Sequence, residues 1–106
     1  MAASGKLVLI TGGGSGMGRE AARRFAAEGA TVALFDVNVE GMAETVGTFD
    51  SIHAWSVDLT DFDAVGTAVR EVEEKLGPVE RLYNCAAIMP FGKLVEQQNA
   101  IIHKQM

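Results

Sequence analysis

A short apolar run, Lys6 to Thr11, passes without a break into Gly12-Gly13-Gly14-Ser15-Gly16-Met17-Gly18, and an amphipathic stretch follows at once. A strand that ends in glycines at the mouth of a helix restricts the choice of folds sharply. It is the unit from which parallel sheets with crossover helices are built. Leu7-Val8-Leu9-Ile10 is apolar on both faces, as a strand covered by helices on both sides must be, and this predicts a central strand. The loop also carries a chemical implication, because backbone N–H groups at a helix N-terminus attract a pyrophosphate and glycines let the backbone approach it. Two phosphate motifs are excluded by the spacing. G-x-G-x-x-G fails because Met17 stands where the third glycine should fall, and a Walker-type loop fails because no Lys followed by Ser or Thr comes after the glycines. Nucleoside triphosphates are therefore disfavoured. The pattern that fits is G-x-x-x-G-x-G, carried by Gly12, Gly16 and Gly18.

The alternation of strand-like and helix-like periodicity continues along the chain. A first helix is expected from Gly16 to Glu28, with Ala21, Ala22, Phe25 and Ala26 on one stripe and Gly29 as its stop. Thr31 to Asp36 reads as the second strand, and Glu40 to Gly47 as a helix weakened by Gly41 and the β-branched pair Thr45 and Val46. Ile52 to Val57 is the third strand. Thr60, with Asp63 three residues on, is expected to cap a helix whose Val65, Ala68, Val69, Val72 and Leu76 share a face, and Gly77 and Pro78 end it. Arg81 to Asn84 is the fourth strand, Met89 to Gly92 a loop, and Glu96 to Met106 a last helix. Right-handed crossovers then set the strand order at 3-2-1-4, with the first two helices on one sheet face and the third on the other. A topological switch point falls between the first and fourth strands, where such sheets bind ligands at the strands' carboxyl ends.

With 106 residues the chain has room for one domain, 1–106, and 48% apolar with 22% charged residues is the balance of a folded globular protein. The net charge of −5 and the lack of a Lys/Arg cluster argue against nucleic acid. Cys85 is the only cysteine, so no intrachain disulfide forms, and no export signal or roughly 20-residue apolar span is visible. A soluble, cytoplasmic protein is expected.

With Thr11 in front, the loop resembles the T-G-x-x-x-G-x-G fingerprint of the short-chain dehydrogenases/reductases, carried by Thr11, Gly12, Gly16 and Gly18. The resemblance implies a Rossmann-type doubly wound α/β fold and an oxidoreductase that moves a hydride between NAD(H) and an alcohol or carbonyl substrate. Gly12, Gly14, Ser15, Gly16, Met17 and Gly18 are the loop positions it assigns to the cofactor. Asp36 ends the second strand 18 residues after Gly18, close to the spacing at which a carboxylate accepts both ribose hydroxyls and repels a 2′-phosphate. NADP-preferring members of the family commonly place a basic residue just before the middle glycine or just after strand two, and Ser15 and Val37 stand there here. NAD is expected over NADP. Asp36 as a helix cap or a solvated loop acid is the alternative, with Asn38 the better cap candidate.

Val57-Asp58-Leu59 resembles the family's adenine contact, which passes to Asp58 and Leu59, although an aspartate that merely starts a helix reads nearly as well. Asn84-Cys85-Ala86-Ala87 resembles the family's N-N-A-G turn and keeps its first and third residues, so Asn84, Cys85 and Ala86 are expected beside the cofactor. Ala87 stands where the family usually has glycine, and the turn must tolerate a Cβ. Cys85 has no cationic neighbour or His pairing motif and reads as a small packed thiol. His53 and His103 show no metal-ligand spacing.

Family chemistry uses a Y-x-x-x-K pair. Tyr83 is the only tyrosine and Ala87 lies four residues on, so no catalytic residue is assigned and the chain alone is expected to be inactive. The resemblance runs from Lys6 to about Met106, less than half of a typical member. The last helix has no capping glycine, and the chain reads as truncated. That leaves Leu82 and Tyr83 on an open sheet edge, from which self-association is expected, as it is from the family's common dimers and tetramers. A non-catalytic dinucleotide-binding module, or a short subunit that pairs with another chain, is the alternative reading. A methyltransferase of related fold also uses a glycine loop and a strand-two acid, but Thr11 and the Asn84 turn speak against it.

Overall fold

The computed structural model describes residues 5–14 and 16–85. Seven elements alternate along them: β1 (Leu7–Thr11), α1 (Gly16–Ala27), β2 (Thr31–Asp36), α2 (Val39–Val46), β3 (Ile52–Ser56), α3 (Phe62–Leu76) and β4 (Arg81–Asn84). The strands form one parallel sheet in the order β3-β2-β1-β4. This is the expected Rossmann-type order. The expected loop at Met89 to Gly92 and helix at Glu96 to Met106 lie outside the described residues, as do Ser15, Ala86, Ala87 and His103.

Every residue of β1 is buried. Because side chains alternate across a strand, Leu7 and Leu9 face one layer and Val8 and Ile10 the other. Leu7 and Leu9 join Ala33, Phe35 and the α3 residues Val65, Ala68, Val69 and Val72. Val8 and Ile10 join Val32 and Leu34 with Ala22 of α1 and Met42 of α2. Two cores thus sandwich the sheet, α1 and α2 on one face and α3 on the other, as right-handed crossovers require. Each fully buried Leu, Ile or Val contributes about 1.5–3 kcal/mol, and β1 and β2 supply such residues to both layers.

Element ends follow local chemistry. Asn38 caps α2, its side chain accepting from the Gly41 amide at 2.9 Å, as its position foretold. The cap expected at Thr60 is instead Asp61, which accepts from the Ala64 amide at 3.1 Å. The reason is that Thr60 is already engaged one step earlier, with its hydroxyl and its amide both donating to Asp58 Oδ1. The chain leaves that turn at Asp61, which has the extended backbone a cap residue needs. α2 begins one residue before the expected start and runs through Gly41, while β1, α1 and β3 each stop or start one residue inside their expected ends.

β4 is the outer strand of the described sheet beside β1. Leu82 packs into the α3 layer. Tyr83 points to the opposite face, 38% exposed, with its ring edge-on to Phe25 at 5.9 Å. Among the described residues no helix is long and apolar enough to cross a membrane.

Candidate cofactor site

All four strands run the same way, so their carboxyl ends share one side of the sheet. The register pairs Thr11 with both Phe35 and Asn84, and Asp36 with Ser56. The glycine loop, Asp36 with Val37, Asp58 with Leu59, and Asn84 with Cys85 therefore line one edge, as the sequence reading required. Of the residues singled out there, Ser15 and Ala86 lie outside the described ones.

At the loop, Gly12 N still donates to Phe35 O at 2.8 Å, continuing the ladder, and then the backbone swings to φ +79° at Gly12 and +56° at Gly16. The first-turn amides of the helix that follows have no intrahelical acceptor, which is the usual reason such ends bind anions. Gly18 faces back into the turn. A Cβ there would fall within the Gly12 carbonyl oxygen and 3.0 Å from Gly13 Cα, so only glycine lets α1 sit this close to β1. Met17 is 70% exposed, leaving its backbone rather than its side chain to shape the loop.

The half-buried Asp36 carboxylate is engaged at both oxygens. Its Oδ2 accepts from the Gly14 amide at 2.9 Å and its Oδ1 from the Asn38 amide at 3.2 Å, so the end of β2 is tied directly to the glycine loop. A carboxylate offers about four lone-pair sites, and two backbone donors leave room for about two more. Val37 beside it is exposed and uncharged.

Asp58 closes a turn of its own, accepting from the Thr60 hydroxyl at 2.6 Å and the Thr60 amide at 2.9 Å. Those donors hold its carboxyl below the ordinary carboxylate value, the hydroxyl contributing most, and the group stays exposed. Leu59 is buried in the α3-side core and anchors the turn beneath it.

Across the switch point, the fully buried Thr11 donates its hydroxyl to Asn84 Oδ1 at 2.5 Å, and the Cys85 amide donates to Thr11 O at 2.9 Å. A buried hydroxyl costs free energy unless it is bonded, and Asn84 supplies that bond while being held beside the loop. Cys85 packs against the α1 layer, and burial pushes its thiol above the ordinary value, so it is a neutral packed thiol rather than a nucleophile. Among the described residues no cluster of His, Cys, Asp and Glu has the makings of a metal site.

Three residues to which the sequence reading gave no part in the site hold this edge together. Arg19 Nη2 donates to Gly14 O at 2.9 Å and Gly41 O at 3.2 Å, while its Nε donates to Thr45 Oγ1 at 3.1 Å. Thr45, fully buried, has one hydroxyl proton, and its shorter contact is with Gly13 O at 2.7 Å. At Gly41 a Cβ would lie inside the Gly14 carbonyl oxygen, so the glycine is what allows α2 to touch the loop. A glycine inside a helix costs about 1 kcal/mol relative to alanine, and that cost was the one signal in the sequence that something crowds this position.

The parallel sheet in the order 3-2-1-4, layered by helices and opening at a glycine loop, defines a Rossmann-type α/β protein. The chain belongs to the short chain dehydrogenase family, whose family model matches residues 6–106. It is 38% identical over 80% of its length to the 2-dehydro-3-deoxy-L-rhamnonate dehydrogenase (NAD(+)) of Sphingomonas sp. (strain SKA58), and covers 34% of that protein. It is 42% identical over 86% of its length to the meso-2,3-butanediol dehydrogenase of Serratia marcescens, covering 37% of it. A short chain dehydrogenase from Bacillus anthracis superposes with a TM-score of 0.73 at 34% identity, over 91% of this chain and 42% of that one. The chain thus spans little more than a third of the length of the curated relatives it matches.

Proposed function

We propose that the chain forms the NAD-binding part of an oxidoreductase that acts on an alcohol or carbonyl group. The observation that carries this reading is the Asp36 carboxylate, bound to the glycine loop through Gly14 and keeping acceptor capacity toward the open edge. The first-turn amides of α1, reached across Gly12, Gly14, Ser15, Gly16, Met17 and Gly18, suit the diphosphate, and Asp36 suits the two hydroxyls of the adjoining ribose. Val37 offers no cation for a 2′-phosphate, which favours NAD over NADP. Asp58 and the Leu59 amide are suited to adenine, and Asn84, Cys85 and Ala86 to the far half of the dinucleotide. The name of the Sphingomonas relative specifies NAD(+), which agrees with this choice. When bound, the cofactor supplies the hydride acceptor or donor, and the residues named here bind and orient it.

No Y-x-x-x-K pair occurs in these 106 residues, so we assign them binding and no turnover. The same observation supports a second reading, a dinucleotide-binding module without catalysis. We also propose homo-oligomerisation, because β4 is the outer strand among the described residues and Tyr83 on it is 38% exposed, and a soluble cytoplasmic setting. A stable monomer in sedimentation would remove the oligomer.

Titration with NAD and NADP tests the cofactor assignment, read through Trp55, whose indole sits edge-on at 6.3 Å to Phe35, the residue before Asp36. In Asp36→Asn the amide oxygen still accepts from Gly14 but the charge is gone. Charge-assisted hydrogen bonds contribute about 1.5–3 kcal/mol, so the NAD-over-NADP ratio should fall about tenfold or more. An unchanged ratio would refute the assignment.

A further inference from the structure

We infer that Arg19 and Thr45 are positioning residues for the cofactor loop, a reading that rests on the NAD-binding function proposed above. The Gly13–Gly14 peptide group is held at both ends: its carbonyl accepts from the Thr45 hydroxyl at 2.7 Å and its N–H donates to Asp36 Oδ2 at 2.9 Å. A trans peptide is planar, with C=O and N–H pointing opposite ways, so anchoring both ends sets the orientation of the plane. The next carbonyl, Gly14 O, is held by Arg19 Nη2 at 2.9 Å. Arg19 in turn orients Thr45, because its Nε donates to the threonine oxygen at 3.1 Å and leaves the single hydroxyl proton for Gly13.

One hydrogen-bonded line therefore runs from the Arg19 guanidinium through the Thr45 hydroxyl and the Gly13–Gly14 peptide to the Asp36 carboxylate. Its first members bond the glycine loop through the Gly13 and Gly14 carbonyls, and its last member is the acid assigned to the ribose. Thr45 is fully buried and Arg19 is 27% exposed, so the Arg19–Thr45 part of the line is shielded from competing water. The Arg19–Glu44 pair at 3.1 Å is different, since Glu44 is 71% exposed and the contact contributes little. Consecutive glycines are the residues that lose most conformational freedom on ordering. Holding them in place before the ligand arrives shifts that cost from binding to folding, which raises affinity without any contact to the ligand.

The test uses Thr45→Val, which keeps the shape and removes the hydroxyl, Thr45→Ser, which keeps the hydroxyl, and Arg19→Lys, which keeps the charge and gives up the fork. NAD and NADP affinities are measured on each variant that melts cooperatively, together with amide hydrogen exchange at Gly14. Thr45→Val and Arg19→Lys should each weaken NAD about tenfold, and Thr45→Ser should bind within about threefold of the parent chain. The NAD-over-NADP ratio should hold, because Asp36 is intact, and Gly14 exchange should quicken in Thr45→Val. A purely structural tie would lower the melting temperature and leave NAD affinity of the folded variants unchanged, and that result overturns the inference. Unaltered Gly14 exchange overturns it as well. If the parent chain ignores NAD, the cofactor reading falls, and the exchange arm alone then accepts or rejects the brace.

Discussion

Replacing Gly41 with alanine sets two physical effects of opposite sign against each other. Helix propensity alone favours alanine at Gly41, in the first turn of α2, by at most about 0.8–1 kcal/mol. For a domain of this size that would raise the melting temperature by about 4–8 °C. The structure places the new Cβ 2.9 Å from Asn38 Cγ and nearer still to the Gly14 carbonyl oxygen, closer than real Cβ atoms approach other heavy atoms. Relief means moving backbone, since Gly14 O belongs to a loop whose neighbours are themselves tied down. Overpacking of this kind costs about 1–3 kcal/mol. Pushing the carbonyl away also weakens its 2.9 Å bond from Arg19, a charge-assisted bond contributing about 1.5–3 kcal/mol. The sum exceeds the propensity gain, so Gly41→Ala should lower the midpoint by about 5–15 °C. Thermal melts followed by far-ultraviolet circular dichroism and by Trp55 emission measure it. A midpoint equal to or above that of the parent chain would show that α2 and the loop do not meet as described.

Thr11→Val removes the buried hydroxyl that bonds Asn84 while keeping the shape, and should lower the urea midpoint by the equivalent of about 1–3 kcal/mol without changing the m-value. An unshifted midpoint would mean that the bond across the switch point contributes nothing. Asp58 should titrate below 3.8 by carboxyl NMR, and Thr60→Ala should bring the midpoint back toward that value. Its folded pKa is depressed, so the stability it adds is complete above the unfolded carboxylate value and is lost only as pH falls through the folded one. The turn should therefore be unchanged between pH 5 and pH 8, on the order-of-magnitude carboxylate scale, and a Asp58 midpoint above 3.8 would contradict the geometry. For Cys85, burial raises the thiol above 9.0, so iodoacetamide near neutral pH should alkylate it more slowly in the folded chain than in urea. Faster reaction when folded would point to an activated thiolate that the structure does not contain.

Much of the fold was legible because it follows from local periodicity. Leu7 to Ile10, apolar on both faces, identified the central strand, and the expected order 3-2-1-4 with right-handed crossovers is the one observed. The glycine loop, Asp36, Asp58 and Asn84 were legible as strand-end positions, and a parallel sheet gathers strand ends on one side whatever its details. The Asn38 cap was legible because a cap is a bond over three residues. Thr60 misled because two local hydrogen-bonding devices competed for it, and the nearer aspartate won.

What only the tertiary structure decided is how the loop is held. Arg19 reaches Thr45 across 26 positions of sequence, and Thr45 reaches Gly13 across 32. Periodicity says which face of a helix turns inward, but not which backbone carbonyl that face will meet. Helix propensity counted Gly41 and Thr45 as weaknesses of α2. In the folded chain the first makes room for the loop and the second bonds it, because hydrogen bonds depend on distances of about 3 Å that only the packing of one element on another establishes.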